Sequence, residues 1–215
     1  MSPPTPIPPS FEFEEIARGA HFRDRIAIRV KASPEAIFRA LEAAPLSNKK
    51  LAWVLGEIRY VPLQRGGHLP VTDSKRPRLS SLKCGSMLVL RDDTPREIIV
   101  GSAARLRRLV DQTPVWFSNR DEFDAFDHPE HQKLFMSVRV APTGRPGEHW
   151  LVLEHATRAL SPAAERKFKR YWQVIKPMGA FVSRELLRAV GVQARRAATR
   201  ESSSPGETAT SVLLT

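Results

Sequence analysis

The fold of this chain is organised around residues 161–196, which read SPAAERKFKRYWQVIKPMGAFVSRELLRAVGVQARR. Ser161 is a suitable N-cap, and Pro162 suits the first position of a helix, where its missing N–H has no partner to lose. Apolar residues then recur at steps of three and four, which places them on one face of a long amphipathic helix. They are Phe168, Tyr171, Trp172, Ile175, Met178, Val182, Leu186 and Val190.

The opposite face of this helix is basic. Residues 162–196 hold nine lysines and arginines against Glu165 and Glu185, out of a net charge of +11 for the whole chain. Such an excess favours an anionic partner, nucleic acid or another acidic surface, although no zinc-ligand spacing or aromatic RNA-binding motif accompanies it. Pro177 removes one helical hydrogen bond and Gly179 lowers helix propensity, so we expect a bend near residues 176–179.

Two stretches before this helix, residues 21–30 and 132–140, alternate between apolar and polar residues, which is the period of half-buried strands, and three further stretches also read as strands. A helix with the start signal Ser33-Pro34-Glu35 follows the first of them. Residues 46–61 predict a second helix, with a strand from Val54 onwards as the alternative, before a loop over 62–81. Residues 119–130 predict an acidic loop. The strands are predicted at His21–Val30, Ser86–Arg91, Arg96–Arg105, Gln132–Val140 and His149–Leu160, with a further short strand at Val115–Phe117.

Both termini are predicted to be disordered, with the weakly apolar residues 11–18 as a loosely held turn of helix. Residues 1–20 begin with five prolines in ten positions and residues 199–215 are rich in Ser and Thr, so a single domain is expected at 21–198. The N-terminus lacks a basic segment followed by an apolar one, and no apolar run reaches the roughly 18 residues of a membrane helix. Cys84 is the only cysteine, which excludes an internal disulfide and favours a reducing cytoplasm.

The order of these elements is typical of an α+β fold in which the long helix lies across one face of an antiparallel sheet. Residues 30–41, VKASPEAIFRAL, resemble the opening of START-like proteins of the SRPBCC superfamily, the Bet v 1 and polyketide cyclase/dehydrase group. Uncharacterised bacterial members of that group show similar patterns. The resemblance covers residues 21–196 and includes the segments 95–101, 123–127, 161–172 and 186–190.

The resemblance implies a helix-grip fold, in which a curved antiparallel sheet holds the long helix with an apolar cavity between the two layers. Glu154, Arg139 and Arg158 have the parity opposite to the cavity residues and are expected to decorate the outer face of the sheet. The cavity composition is typical of a small-molecule pocket and equally of a filled core. The residues expected to line it are Leu134, Met136, Val138, Leu151, Leu153, His155 and Thr157 on the strands, and Phe168, Trp172, Ile175 and Met178 on the helix.

Three functions are compatible with this pattern. The first is non-catalytic binding of a hydrophobic small molecule, a lipid or a polyketide-like compound, in the cavity. The second is a cyclase or dehydratase-type enzyme in which His155 acts as general acid or base, with Tyr171 as a proton donor or hydrogen-bond partner. The third is a module whose basic helix face binds RNA, the ribosome or an acidic protein.

No metal and no cofactor are expected. The chain lacks a glycine-rich phosphate loop, a Gly-x-Ser-x-Gly nucleophile elbow and a His-Glu-x-x-His motif. His128 and His131 are three residues apart beside Asp124 and Asp127, a combination that can hold a metal through imidazole and carboxylate. Pro129 interrupts the regular helix that would aim both imidazoles at one ion, so an acidic structural loop is the favoured interpretation.

Overall fold

A computed structural model describes residues 7–43, 87–108 and 111–203, with side chains described for 7–43, 87–106 and 113–200. The helix and the loop predicted between residues 46 and 81 lie outside the described residues. Cys84 lies outside them as well, so its predicted thiol state is not addressed by the structure.

Six strands and four helices are present in the described ranges. The strands are β1 (Phe22–Lys31), β2 (Leu88–Asp93), β3 (Glu97–Arg108), β4 (Asp111–Val115), β5 (His131–Pro142) and β6 (Glu148–Ala159). The helices are α1 (Phe11–Ile16), α2 (Pro34–Ala43), α3 (Arg120–Ala125) and α4 (Pro162–Ser203). The strands form one antiparallel sheet in the order β1-β6-β5-β3-β2, and β4 pairs with β3. This sheet with the 42-residue α4 forms an α+β helix-grip arrangement, which confirms the predicted fold class.

The predicted helix start signals act as expected. Ser33 and Ser161 cap α2 and α4, because their hydroxyls accept hydrogen bonds from the backbone N–H groups of Ala36 at 3.2 Å and Ala164 at 3.1 Å. α4 continues past residue 196 to Ser203, since residues 197–203 contain neither proline nor glycine. Helix is therefore found at 199–203, where disorder was predicted.

Two short elements differ from their predictions. α3 forms within the predicted acidic loop, because Asn119 caps it by accepting the N–H of Glu122 at 2.9 Å. β4 ends at Val115, whereas the predicted short strand began there. No helix in the described part of the chain has both the length and the hydrophobicity needed to cross a membrane.

α2 and α4 cover one face of the sheet. Their buried side chains pack with every second residue of the strands, as the alternating pattern predicts. We call this group the basal core. It includes Ile26, Val30, Val138, Leu151 and Leu153 on the strands, Ile37, Phe38 and Leu41 on α2, and Leu187, Val190 and Ala194 on α4.

α1 and α3 cover the other face. The turn of helix expected at residues 11–18 is therefore a capped helix packed on the sheet, which corrects the disorder predicted for that part of segment 1–20. Ser10 accepts the N–H of Phe13 at 3.1 Å to cap α1, and its hydroxyl donates to the buried carboxylate of Glu97 at 2.7 Å. Phe13 is only 2% exposed. Burial of this aromatic ring outweighs the disorder favoured by the proline-rich start. The outer core consists of Phe13, Ala17, Leu90, Ile99, Phe123, Phe135 and Ala156.

Arg139 and Glu154 lie on the outer face, as their parity predicts, but they are buried rather than surface decoration. Arg139 Nε donates to one carboxylate oxygen of Glu154 at 3.0 Å, and Arg25 Nε donates to the other at 2.5 Å. Arg139 also donates to the carbonyl of Pro8, so the N-terminal segment covers this charged pair. The charges tolerate burial because each has an opposite charge and directed hydrogen bonds.

Candidate ligand site between the sheet and the long helix

The register of β5 and β6 places the predicted cavity residues of both strands on one face of the sheet. Directly opposed residues of antiparallel strands share a face. This is the face of the basal core, so all seven side chains lie on the side that α4 covers. Their role as the lining of a ligand cavity remains a prediction. The opposed pairs are Leu134 with Thr157, Met136 with His155, Val138 with Leu153 and Val140 with Leu151.

Aromatic side chains pack against the start of β1 near the N-terminal end of α4. The ring centroid of Phe168 lies 4.9 Å from that of Phe22 and 6.0 Å from that of Trp172. Tilted and offset ring pairs at such distances are favourable. This second group, which we call the aromatic core, consists of Leu106, Phe168 and Tyr171 with the partly buried Phe22, Trp172 and Ile175.

The basal core and the aromatic core are separate groups along α4. Ile175 is the last α4 residue of the aromatic core, and Ala180 is the first that packs against the basal core. Between them, Met178 is only partly buried, and a Cβ built on Gly179 meets no heavy atom of the described residues within 4 Å. Gly179 lies four residues from both Ile175 and the buried Ser183, so the missing side chain would share their face toward the sheet. Among the described residues, no side chain of the sheet therefore reaches the Cβ position of Gly179 between the basal core and the aromatic core.

The sheet presents polar side chains at the level that lies between the aromatic core and the basal core. Asp24 lies opposite His155, which in turn lies opposite Met136, and we call these three residues the middle row. On β1 the row falls between Phe22 of the aromatic core and Ile26 of the basal core. Opposed side chains begin about 5 Å apart, which brings a carboxylate and an imidazole side by side. Apolar walls with a few hydrogen-bonding groups are typical of a small-molecule pocket.

Sequence reasoning missed three polar residues on this side of the sheet. Asp24 has the same parity as the apolar residues of β1, and this position among them was the available signal. Ser102 is buried opposite Leu134, and Ser183 is buried on α4. No sequence pattern marked the two serines, because a serine is ordinary both in strands and on helices.

The two candidates for acid–base chemistry occupy different parts of the layer. His155 is partly buried in the middle row, whereas Tyr171 is buried in the aromatic core with its ring centroid 5.3 Å from that of Phe168. The catalytic roles assigned to them from the sequence therefore stay predictions.

The histidine pair considered for a metal lies at the start of β5. The Nδ1 atoms of His128 and His131 are 3.0 Å apart, and the ring of Phe126 packs against both imidazoles. Partial burial, followed by the nearby charges of His128 and Arg105, lowers the pKa of His131 below its ordinary value of 6.5. Among the described residues, no group of three or more His, Cys, Asp or Glu side chains is arranged to hold a metal ion.

The chain is similar to several solved structures, with low sequence identities and low TM-scores. Crystal structures of CalU16 from Micromonospora echinospora and of TTHA0849 from Thermus thermophilus are 14% and 11% identical, with TM-scores of 0.28 and 0.30. They cover 85% and 81% of this chain, and 88% and 98% of their own chains. Truncated norcoclaurine synthase from Thalictrum flavum is 10% identical, with 79% of this chain and 91% of that chain covered and a TM-score of 0.31. No family model and no curated protein matches the chain.

Proposed function

We propose that this protein binds one hydrophobic small molecule, a lipid or a polyketide-like compound, between the sheet and α4 beside Gly179. The observation that supports this most is the open Cβ position of Gly179 on the sheet-facing side of the helix, between two packed cores. Gly179 is partly exposed, so this position between the two cores is open to an entering ligand. An apolar molecule is the occupant that these walls favour.

The surrounding side chains indicate an apolar ligand with one polar end. Met136 and Met178 supply flexible thioethers that adapt to irregular shapes, while His155 and Thr157 supply hydrogen-bonding groups on the sheet. Burying roughly 300 Å² of apolar ligand surface at about 25 cal/mol per Å² gives about 7 kcal/mol before the cost of association. We therefore expect a dissociation constant in the micromolar range or weaker.

A fluorescence titration with the neutral apolar dye N-phenyl-1-naphthylamine tests the proposal. The wild-type protein should bind a single dye molecule per chain. Gly179→Leu should weaken this binding at least about tenfold, because the leucine occupies the room that the dye needs. Gln173→Leu is the matched control, since it adds the same side chain to an exposed position of α4 and should bind like the wild type.

Two outcomes of this titration contradict the proposal. The first is unchanged dye binding in Gly179→Leu, and the second is an equal loss in Gly179→Leu and Gln173→Leu. Native mass spectrometry of the protein purified from an expression host then identifies the ligand class, because a bound compound appears as an adduct absent from the denatured mass. The Gly179→Leu variant should lack that adduct.

The position of Asp24 opposite His155 favours a second candidate function, a cyclase or dehydratase-type enzyme. A neighbouring carboxylate can orient an imidazole, which suits a general base. In that case His155→Ala should keep dye binding but stop conversion of the bound compound, with loss of one water visible as a mass change in a dehydration. Conversion that survives in His155→Ala would exclude this role.

A further inference from the structure

α4 also carries a continuous surface on the side away from the sheet. Its residues recur at steps of three, four or seven, so they follow one line along the helix, and a rise of 1.5 Å per residue makes this line about 40 Å long. Val174, Phe181 and Val192 are 60%, 40% and 42% exposed on it. We call this surface the outer stripe, formed by Lys167, Arg170, Val174, Phe181, Arg184, Arg188, Val192 and Arg195.

The positive charge of the outer stripe is mostly unbalanced. Of its five cations, Arg188 alone has a carboxylate partner among the described residues, Glu185 at 2.8 Å. Residues 162–200 hold ten lysines and arginines against two glutamates. The stripe therefore presents a positive field with three exposed apolar side chains inside it, which together can attract anionic headgroups and enter the headgroup layer.

We propose that the outer stripe docks this protein on an anionic membrane surface. The cations attract acidic headgroups, while Val174, Phe181 and Val192 enter the headgroup layer and leave water. RNA fits this surface less well, because bases stack on aromatic rings and Phe181 is the sole aromatic side chain of the stripe. The outer stripe faces away from Gly179, so vesicle binding and dye binding are separate measurements.

Vesicle sedimentation with the full-length protein tests this proposal. Binding should be strong on phosphatidylcholine vesicles containing about one third phosphatidylserine, weak on phosphatidylcholine alone, and reduced by salt. Phe181→Ser should weaken binding about fivefold or more, because the phenyl ring no longer enters the interface. Phe11→Ser is the matched control, since Phe11 is 84% exposed on α1, outside the outer stripe, and its loss should leave binding unchanged.

A second pair of variants separates local charge from net charge. Arg184→Glu and Arg96→Glu change the net charge equally, but Arg96 lies in the β2–β3 turn, and its side chain is 80% exposed. Arg184→Glu should reduce vesicle binding at least about fivefold more than Arg96→Glu. Absence of binding to the anionic vesicles, equal effects within either pair, or salt-dependent binding of a single-stranded oligouridylate without vesicle binding would overturn the proposal.

Discussion

Gly179 and Gly191 lie on the sheet-facing side of the same helix, and their surroundings are opposite. A Cβ added to Gly191 would lie 3.0 Å from Ile28 Cδ1 and 3.3 Å from Val30 Cγ2, closer than ordinary van der Waals contact. A Cβ added to Gly179 meets no described heavy atom within 4 Å. Gly191 lets the helix approach β1 closely, whereas no described residue of the sheet comes within contact distance of a Cβ at Gly179.

This difference divides α4 into a structural half and a half in which we propose the binding site. Around Gly191, the basal core joins α4, α2 and the strands, and Leu187 and Val190 are fully buried. Around Gly179, the neighbouring side chains are partly buried, and the sheet contributes polar groups. Stability should therefore depend on the first half and ligand affinity on the second.

The largest effect should come from truncating one apolar side chain in each half of α4. Leu187→Ala should lower the free energy of unfolding by about 2–5 kcal/mol, because it leaves a cavity in a packed core. Met178→Ala should cost about 1 kcal/mol or less, since Met178 is partly buried beside existing room. Urea unfolding of the two variants measures this contrast. Equal losses of unfolding free energy would contradict the division of α4 into two halves.

Adding a leucine at each glycine should have the next largest effect. Gly191→Leu should destabilise the protein by about 1–3 kcal/mol or more, because the new side chain forces Val30 and β1 to move. Gly179→Leu should cost nothing and gain up to about 1 kcal/mol from helix propensity. The same unfolding measurement applies, and destabilisation by Gly179→Leu would show that the space is already filled.

Alanine at the same two positions gives a smaller contrast. Both changes gain about 1 kcal/mol of helix propensity, since alanine replaces glycine inside a helix. Gly179→Ala should keep this gain, whereas crowding against Ile28 and Val30 should cancel it in Gly191→Ala. Thermal unfolding resolves the difference, and an equal rise in melting temperature would contradict the contrast in packing.

The smallest effect concerns pH and serves as a control for the comparison of Gly179 with Gly191. The pKa of His131 is lowered in the folded protein, so the unfolded chain binds the proton first as the pH falls through about 6.5. Stability should therefore be unaffected above that pH and decrease below it, modestly because His131 is partly exposed. Wild type, Gly179→Ala and Gly191→Ala should lose equal stability, and His131→Gln should lose less. A pH response that differs between the two glycine variants would mean that a titratable side chain on or near α4 contributes to it.

Much of the fold could be predicted from the sequence because its signals are local. Alternation in Gln132–Val140 and His149–Leu160 gave the correct faces of β5 and β6, and Ser161 marked the start of α4. The covering of the outer face was missed, since it depends on Phe13 packing with residues about 75 to 145 positions later in the chain. The burial of Arg139 and Glu154 was also missed, because the N-terminal segment that covers them, through Pro8, lies 131 positions before Arg139.

The candidate site could be predicted only in part. Parity placed His155 and Thr157 toward α4, and it also marks Asp24 once β1 is paired with β6. The room beside Gly179 could not be predicted, because glycine in a helix indicates close approach and open space equally well. Only the positions of Ile28 and Val30 relative to the helix distinguish Gly191 from Gly179.

The central claim is that the space beside Gly179 holds an apolar ligand. Its most direct test is the free energy of unfolding of wild type and Gly179→Leu, each with and without N-phenyl-1-naphthylamine at about 100 times the wild-type dissociation constant. The dye should stabilise the wild type by about 2.7 kcal/mol and the variant much less, while the dye-free variant is at least as stable as the wild type. Equal stabilisation of both proteins by the dye, or a variant that is destabilised without it, would contradict the claim.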